Sequence, residues 1–205
     1  ETGASALTNN DTSNANDNIG IGFSSLYTNT GVSNIGIGTK SLFNNVGNYN
    51  IAIGASALAT NNTAGANSNI GIGFTSLYNN SGIANIGIGT RSLRNNAGNY
   101  NVAFGYESLL VNTTGDNNVA LGYQSMLTNT TGDYNVAIGH QSLNNGQSGT
   151  YNIAIGYKAM DGTELGSIPN GINNIGIGPS SLTYLNNGDR NIGIGNKAAW
   201  AVYDT

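Results

Sequence analysis

The sequence predicts an all-β fold, a parallel β-solenoid of about 11–12 coils of 16–22 residues, and three observations lead there. The first is a recurring Asn before an aliphatic residue: Asn18, Asn34, Asn50, Asn69, Asn85, Asn101, Asn118, Asn135, Asn152, Asn174 and Asn191. Its spacings are 16, 16, 19, 16, 16, 17, 17, 17, 22 and 17 residues. The second is the alternation N-[IV]-[GA]-[IFL]-G that each Asn opens, the period of a strand. The third is a fixed [SA]-[LMA] pair after two variable residues, as at Ser41-Leu42.

Each coil is built in the same order. In Asn34-Ile35-Gly36-Ile37-Gly38 the two Ile share one face of a strand, and Asn34, Gly36 and Gly38 share the other. The Ile pair and Leu42 are expected to form the core, three aliphatics per coil, with a very short second strand after the bend. Stretches such as Asn44-Asn45-Val46-Gly47-Asn48 read as the return loop, where Asn and Gly tolerate positive φ. The extra residues of the 19- and 22-residue coils fall in that loop. The leading Asn is expected to form a hydrogen-bonded amide ladder along the rod.

The chain is one repeat domain, residues 1–205: a partial coil 1–17, coils starting at 18, 34, 50, 69, 85, 101, 118, 135, 152 and 174, and an atypical terminal coil 191–205. Three coils are duplicated in tandem, since Phe23-Ser-Ser-Leu-Tyr27 returns 51 residues later as Phe74-Thr-Ser-Leu-Tyr78. At about 4.8 Å per coil the stack is a rod of roughly 55 Å. Trp200, in the last coil, is expected to cover the open end of the core.

Composition narrows the function. Charged residues are 8% of the chain, Gly numbers 31, Pro 2 and Cys 0, with a formal net charge of −4. Disorder does not fit, because disordered chains lack β-branched residues in register. A thinly spread negative charge argues against nucleic-acid binding. The absence of Cys removes disulfides, thiolate zinc sites and thiol catalysis. No apolar run is long enough to insert in a membrane.

No enzyme constellation is present, and no cofactor or metal site is expected. The only His, His140, sits at the variable sixth position, and Ser142 is a repeat feature. Glu107 and Glu164 have no paired carboxylate. Gly36-Ile-Gly-Thr-Lys-Ser41 lacks the spacing and the helix of a phosphate loop. Sequons at Asn10, Asn61, Asn79, Asn112 and Asn129 matter only in a eukaryotic secretory pathway.

The aromatics are ordered. Phe23, Phe74, Tyr106, Tyr123 and Tyr157 share the sixth position, while Tyr49, Tyr100, Tyr134 and Tyr151 precede the next Asn. Tyr106, Tyr123, Tyr134, Tyr151 and Tyr157 form a candidate receptor ridge on which sugar rings could stack; the structural alternative is that they stack on one another.

A small-residue strand face suits close approach of another backbone. Three aliphatics at about 1.5–3 kcal/mol each fall short of the backbone entropy of a sixteen-residue coil, at about 1–2 kcal/mol per residue. Both points predict a homo-oligomer, a trimer, joined through the Gly/Ala face.

The stretches Asn50-Ile-Ala-Ile-Gly-Ala-Ser-Ala-Leu58 and Asn135-Val-Ala-Ile-Gly-His-Gln-Ser-Leu143 resemble head repeats of YadA-like trimeric autotransporter adhesins. Repeat regions of bacteriophage tail fibres are similar. The resemblance implies a left-handed β-roll, trimerised side by side, that acts outside the cell on a virion or bacterial surface. On this reading the chain is a structural and adhesive fibre segment whose partners are its own copies and a cell-surface glycan or protein receptor. The alternatives are an ice-binding β-solenoid, which needs one face of matched polar residues, and a passive spacer without ligand.

Overall fold

The structure, a computed structural model, describes residues 3–10, 17–162, 170–185, 188–199 and 201–202. Trp200 and Glu164 lie outside the described residues.

Eleven three-residue strands, from Ile19–Ile21 to Ile192–Ile194, pair in chain order into one parallel sheet. Seven two-residue strands, from Asn9–Asn10 to Val111–Asn112, make a second parallel sheet. A two-stranded pair joins Tyr184–Leu185 to Ala201–Val202. Every rung matches equivalent residues of consecutive coils, as in Ile35 with Ile51, Gly36 with Ala52 and Ile37 with Ile53. The chain is therefore an all-β parallel solenoid, and the register is that of the sequence repeat.

The two faces of the strand are the reverse of the sequence expectation. Gly36, Ala52, Ala103, Ala120, Ala137 and Ala154 point into the coil and are buried, whereas Ile35 and Ile37 point outward and are only half-buried. The reason is the thinness of the coil. Each carries one large inward side chain, in the column Leu26, Leu42, Leu58, Leu77, Leu93, Leu109, Met126, Leu143, Met160 and Leu182, all fully buried. A Cβ on Gly36 would already stand 3.3 Å from Leu26 Cγ and 2.7 Å from Ser25 Oγ. A branched side chain has no room there. Small residues are required because Leu and Ser fill the interior, and no second chain has access to them.

The bends also differ from expectation. Asn44–Asn45 is the second strand, not part of the loop. Positive φ falls on the corner residues instead: Lys40 at 56°, Leu42 at 47° and Tyr49 at 58°. Non-Gly residues rarely sit there. Bonds between coils hold them in place, such as Leu42 N–H to the Ala57 carbonyl (3.0 Å) and Tyr49 N–H to the Val32 carbonyl (3.0 Å).

Candidate functional site

The leading Asn residues form the expected ladder, in part amide to amide, as where Asn69 Nδ2 donates to Asn50 Oδ1 at 3.2 Å and Asn191 Nδ2 to Asn174 Oδ1 at 3.1 Å, and throughout by a further bond to the backbone. The Oδ1 of each accepts from the backbone N–H of the Asn in the next coil, at 2.8 to 2.9 Å from Asn18 through to Asn191. The Nδ2 donates within its own coil to a turn carbonyl, as Asn34 does to Gly47 and Asn85 to Gly98, both at 2.9 Å. Asn34 to Asn174 are buried, so both halves of these amides are used where water cannot replace them. The ladder is structural, and it closes each coil.

A second ladder was not anticipated. Asn29, Asn45, Asn61, Asn80, Asn96 and Asn112 run along the second sheet and Asn129 continues the row one coil beyond it, each Nδ2 from Asn45 onward donating to the preceding Oδ1 at 2.7 to 3.2 Å. Its signal was available: each Asn follows the core Leu or Met by three residues. The ladder also sorts the sequons. Asn61, Asn112 and Asn129 are buried within it, whereas Asn79 is exposed; the side chain of Asn10 is outside the described residues.

The main surface feature is the outward face of the long sheet. One column runs Ile19, Ile35, Ile51, Ile70, Ile86, Val102, Val119, Val136, Ile153, Ile175, Ile192. The other begins at Ile21 and ends at Ile194, with Phe104 and Leu121 in its middle. No polar residue interrupts either. Phe104 is 57% exposed, and Ile19 and Ile194 in the two end strands 50% and 68%, while most of the face between is half-buried by its neighbours along the stack. Scattered exposed aliphatics are ordinary, whereas a contiguous apolar face of this length is not.

The aromatics mostly stack on one another. Tyr106, Tyr123, His140 and Tyr157 make one column over four coils, with centroids 5.3, 4.8 and 5.4 Å apart. Tyr134 and Tyr151 stack at 5.0 Å. The column presents ring edges and a row of polar atoms, because the inner ring faces are covered by neighbouring rings. Sugar stacking on a bare face is left only to its two ends. His140, at the same sixth position as the tyrosines, is one of its members.

Beside the column runs a polar ladder. Glu107 Oε1 pairs with Arg91 Nη1 at 3.0 Å, Gln124 Nε2 donates to Glu107 Oε2 at 2.9 Å, and Gln141 Nε2 donates to Gln124 Oε1 at 3.1 Å. The Gln124 hydrogen bond, with help from Arg91, holds the Glu107 carboxyl below the usual carboxylate range against the opposing effect of burial. A depressed folded-state pKa contributes stability above the unfolded value and loses it as pH falls through the folded value. NMR titration is expected to place Glu107 below a free Glu, and Gln124→Ala to move it upward. An unchanged value in that variant would refute the assignment.

Among the described residues no three His, Asp or Glu side chains gather as a metal site, and no helix is long and apolar enough to cross a membrane. No protein-family model, curated protein or solved structure matches the chain.

Proposed function

We propose that this chain is a segment of an extracellular attachment fibre, carried on a virion or a bacterial surface, in which three identical chains lie side by side. The observation that supports it is the unbroken apolar face along the long sheet. Water contact along that whole face is unfavourable at about 25 cal/mol per Å². A copy running in the same direction offers the same column spacing, so the two faces match coil by coil. Closed cyclic symmetry about an axis parallel to the rod then covers every copy equally. Three copies is the number implied by the likeness to YadA-type head repeats. The interface in this proposal is the Ile face, not the Gly/Ala face.

Such a fibre works by rigidity and by repeating its outer surface three times, which multiplies weak contacts with a cell-surface glycan or protein receptor into avidity. The column of Tyr106, Tyr123 and Tyr157 is one exposed surface available for that contact, and Tyr134 and Tyr151, before the strand rather than after it, are another. An ice-binding role is less well supported. The outward positions of the second sheet read Thr28, Asn44, Thr60, Asn79, Asn95 and Val111, which is not a matched array.

Sedimentation equilibrium is expected to give three times the chain mass of 21.0 kDa, and the labelled chain is expected to adhere to cells from a panel of bacteria. A stable 21.0-kDa particle that adheres to none would overturn the proposal.

A further inference from the structure

The repeat is not uniform in length, and the mismatch shapes the surface. Coils starting at Asn69 and Asn85 have 16 residues, while the flanking coils starting at Asn50 and Asn101 have 19 and 17. On the second-sheet side the two short coils form the floor of a saddle, and the longer ones supply its walls. The result is an open cleft of about 420 Å³, within the usual size of small-ligand sites. Asn79, Ser81 and Asn95 lie on its floor, with Thr60, Asn62 and Thr113 at its ends.

From this cleft we infer a binding site for an uncharged glycan. The inference rests on the attachment reading above and locates the contact on a different side of the rod from the tyrosine column. Three features select the ligand class. No charged side chain lines the cleft, so an acidic or basic ligand gains no partner. No large apolar side chain lines it either; its carbon surface comes from the short stems of Asn, Thr and Ala, which suit the C–H face of a sugar ring better than a bulky hydrophobic group. What it offers is the amides of Asn62, Asn79 and Asn95 and the hydroxyls of Thr60 and Ser81, since Asn80, Asn96 and Asn112 are committed to the buried ladder. An amide both donates and accepts, the pairing that neighbouring sugar hydroxyls need.

The floor is also pre-ordered. Asn79 Nδ2 donates to Asn95 Oδ1 at 3.1 Å, which leaves Asn79 Oδ1 and Asn95 Nδ2 to face a ligand as acceptor and donor. A peptide strand fits less well. Backbone groups of the floor are already paired between coils, as in Asn79 N–H to the Arg94 carbonyl and Asn95 N–H to the Leu110 carbonyl. Strand addition therefore has no open edge to use.

The test is an array of neutral oligosaccharides and their sialylated and sulfated counterparts, probed with the labelled chain. Binding is expected on neutral structures, at least tenfold weaker for Ser81→Trp, which fills the cleft, and for Asn79→Ala, which removes one floor amide. Tyr49→Ala, exposed and outside the cleft, is expected to bind as the parent does. Thermal melting of each variant checks the fold, and exposed Asn79→Ala keeps the test valid if Ser81→Trp does not fold. Three results would overturn the site: preference for charged glycans, neutral binding indifferent to both cleft variants, or no glycan retained while the chain still adheres to cells. In the last case the attachment reading stands, and adhesion that survives periodate oxidation but not protease would assign a protein receptor.

Discussion

Gly89→Ala is expected to destabilise the solenoid by about 3 kcal/mol or more, while Gly65→Ala, on the same chain, costs only about 1 kcal/mol. Both glycines have positive φ, +125° at Gly89 and +100° at Gly65, where an L side chain is strained. They differ in what a Cβ would meet. At Gly65 nothing lies within 4 Å. At Gly89 the added carbon stands 2.7 Å from the carbonyl carbon of Gly105, and it also meets that residue's oxygen. Neighbouring backbone cannot swing aside as a side chain could, so the stack itself must open. Gly105 in turn abuts Gly122, and the same approach of backbone on backbone recurs at the fifth position from Gly22 to Gly178. Guanidinium denaturation of the two variants separates the contributions, because strain is common to both and the backbone clash belongs to Gly89 alone. Equal losses would show that coils do not approach as closely as the structure has them.

The period, the strand and the parallel register were legible in the sequence because they depend only on which residues recur. Which face of the strand looks inward was not. Hydrophobicity alone puts Ile35 and Ile37 inside, and that rule holds for a sheet covered by a thick layer. Here the coil is so thin that Leu42, Ser41 and the amides of Asn45 and Asn50 fill it, leaving room opposite for nothing larger than Gly or Ala. Interior volume, which no single repeat encodes, decided the matter. The corners were hidden for a related reason. Leu, Lys and Tyr have no intrinsic preference for φ near 50°, so their conformation is imposed by hydrogen bonds between coils. The second Asn ladder could have been found, since Leu26 and Asn29, Leu42 and Asn45, and Leu93 and Asn96 keep one spacing. The tyrosine ridge was half legible: the shared position showed in the sequence, but the mutual covering of ring faces appears only once consecutive coils are seen about 5 Å apart.

The double variant Ile86→Lys/Ile88→Lys is expected to leave the coil folded and to weaken association more than 100-fold, roughly 3 kcal/mol. Both side chains point away from the interior, so the fully buried Leu77 and Leu93 keep their packing. In an assembly built on the Ile face each chain would bring two ammonium groups to one level of the axis, where they are desolvated and face like charges. Ile86→Val/Ile88→Leu keeps the face apolar and is expected to retain the parent mass in sedimentation. The pair of measurements separates two arrangements of the same chain. If the Gly/Ala face were the interface and the Ile face the core, lysines at these positions would unfold the coil, as burial of unpaired charge does. Leu93→Ala supplies the reference for true core loss, at about 2–5 kcal/mol of stability. Normal melting with a reduced mass is the signature of an outward Ile face that joins copies. Normal melting with an unchanged mass would mean that the face is bare in the working protein, and the fibre would then need another means of assembly.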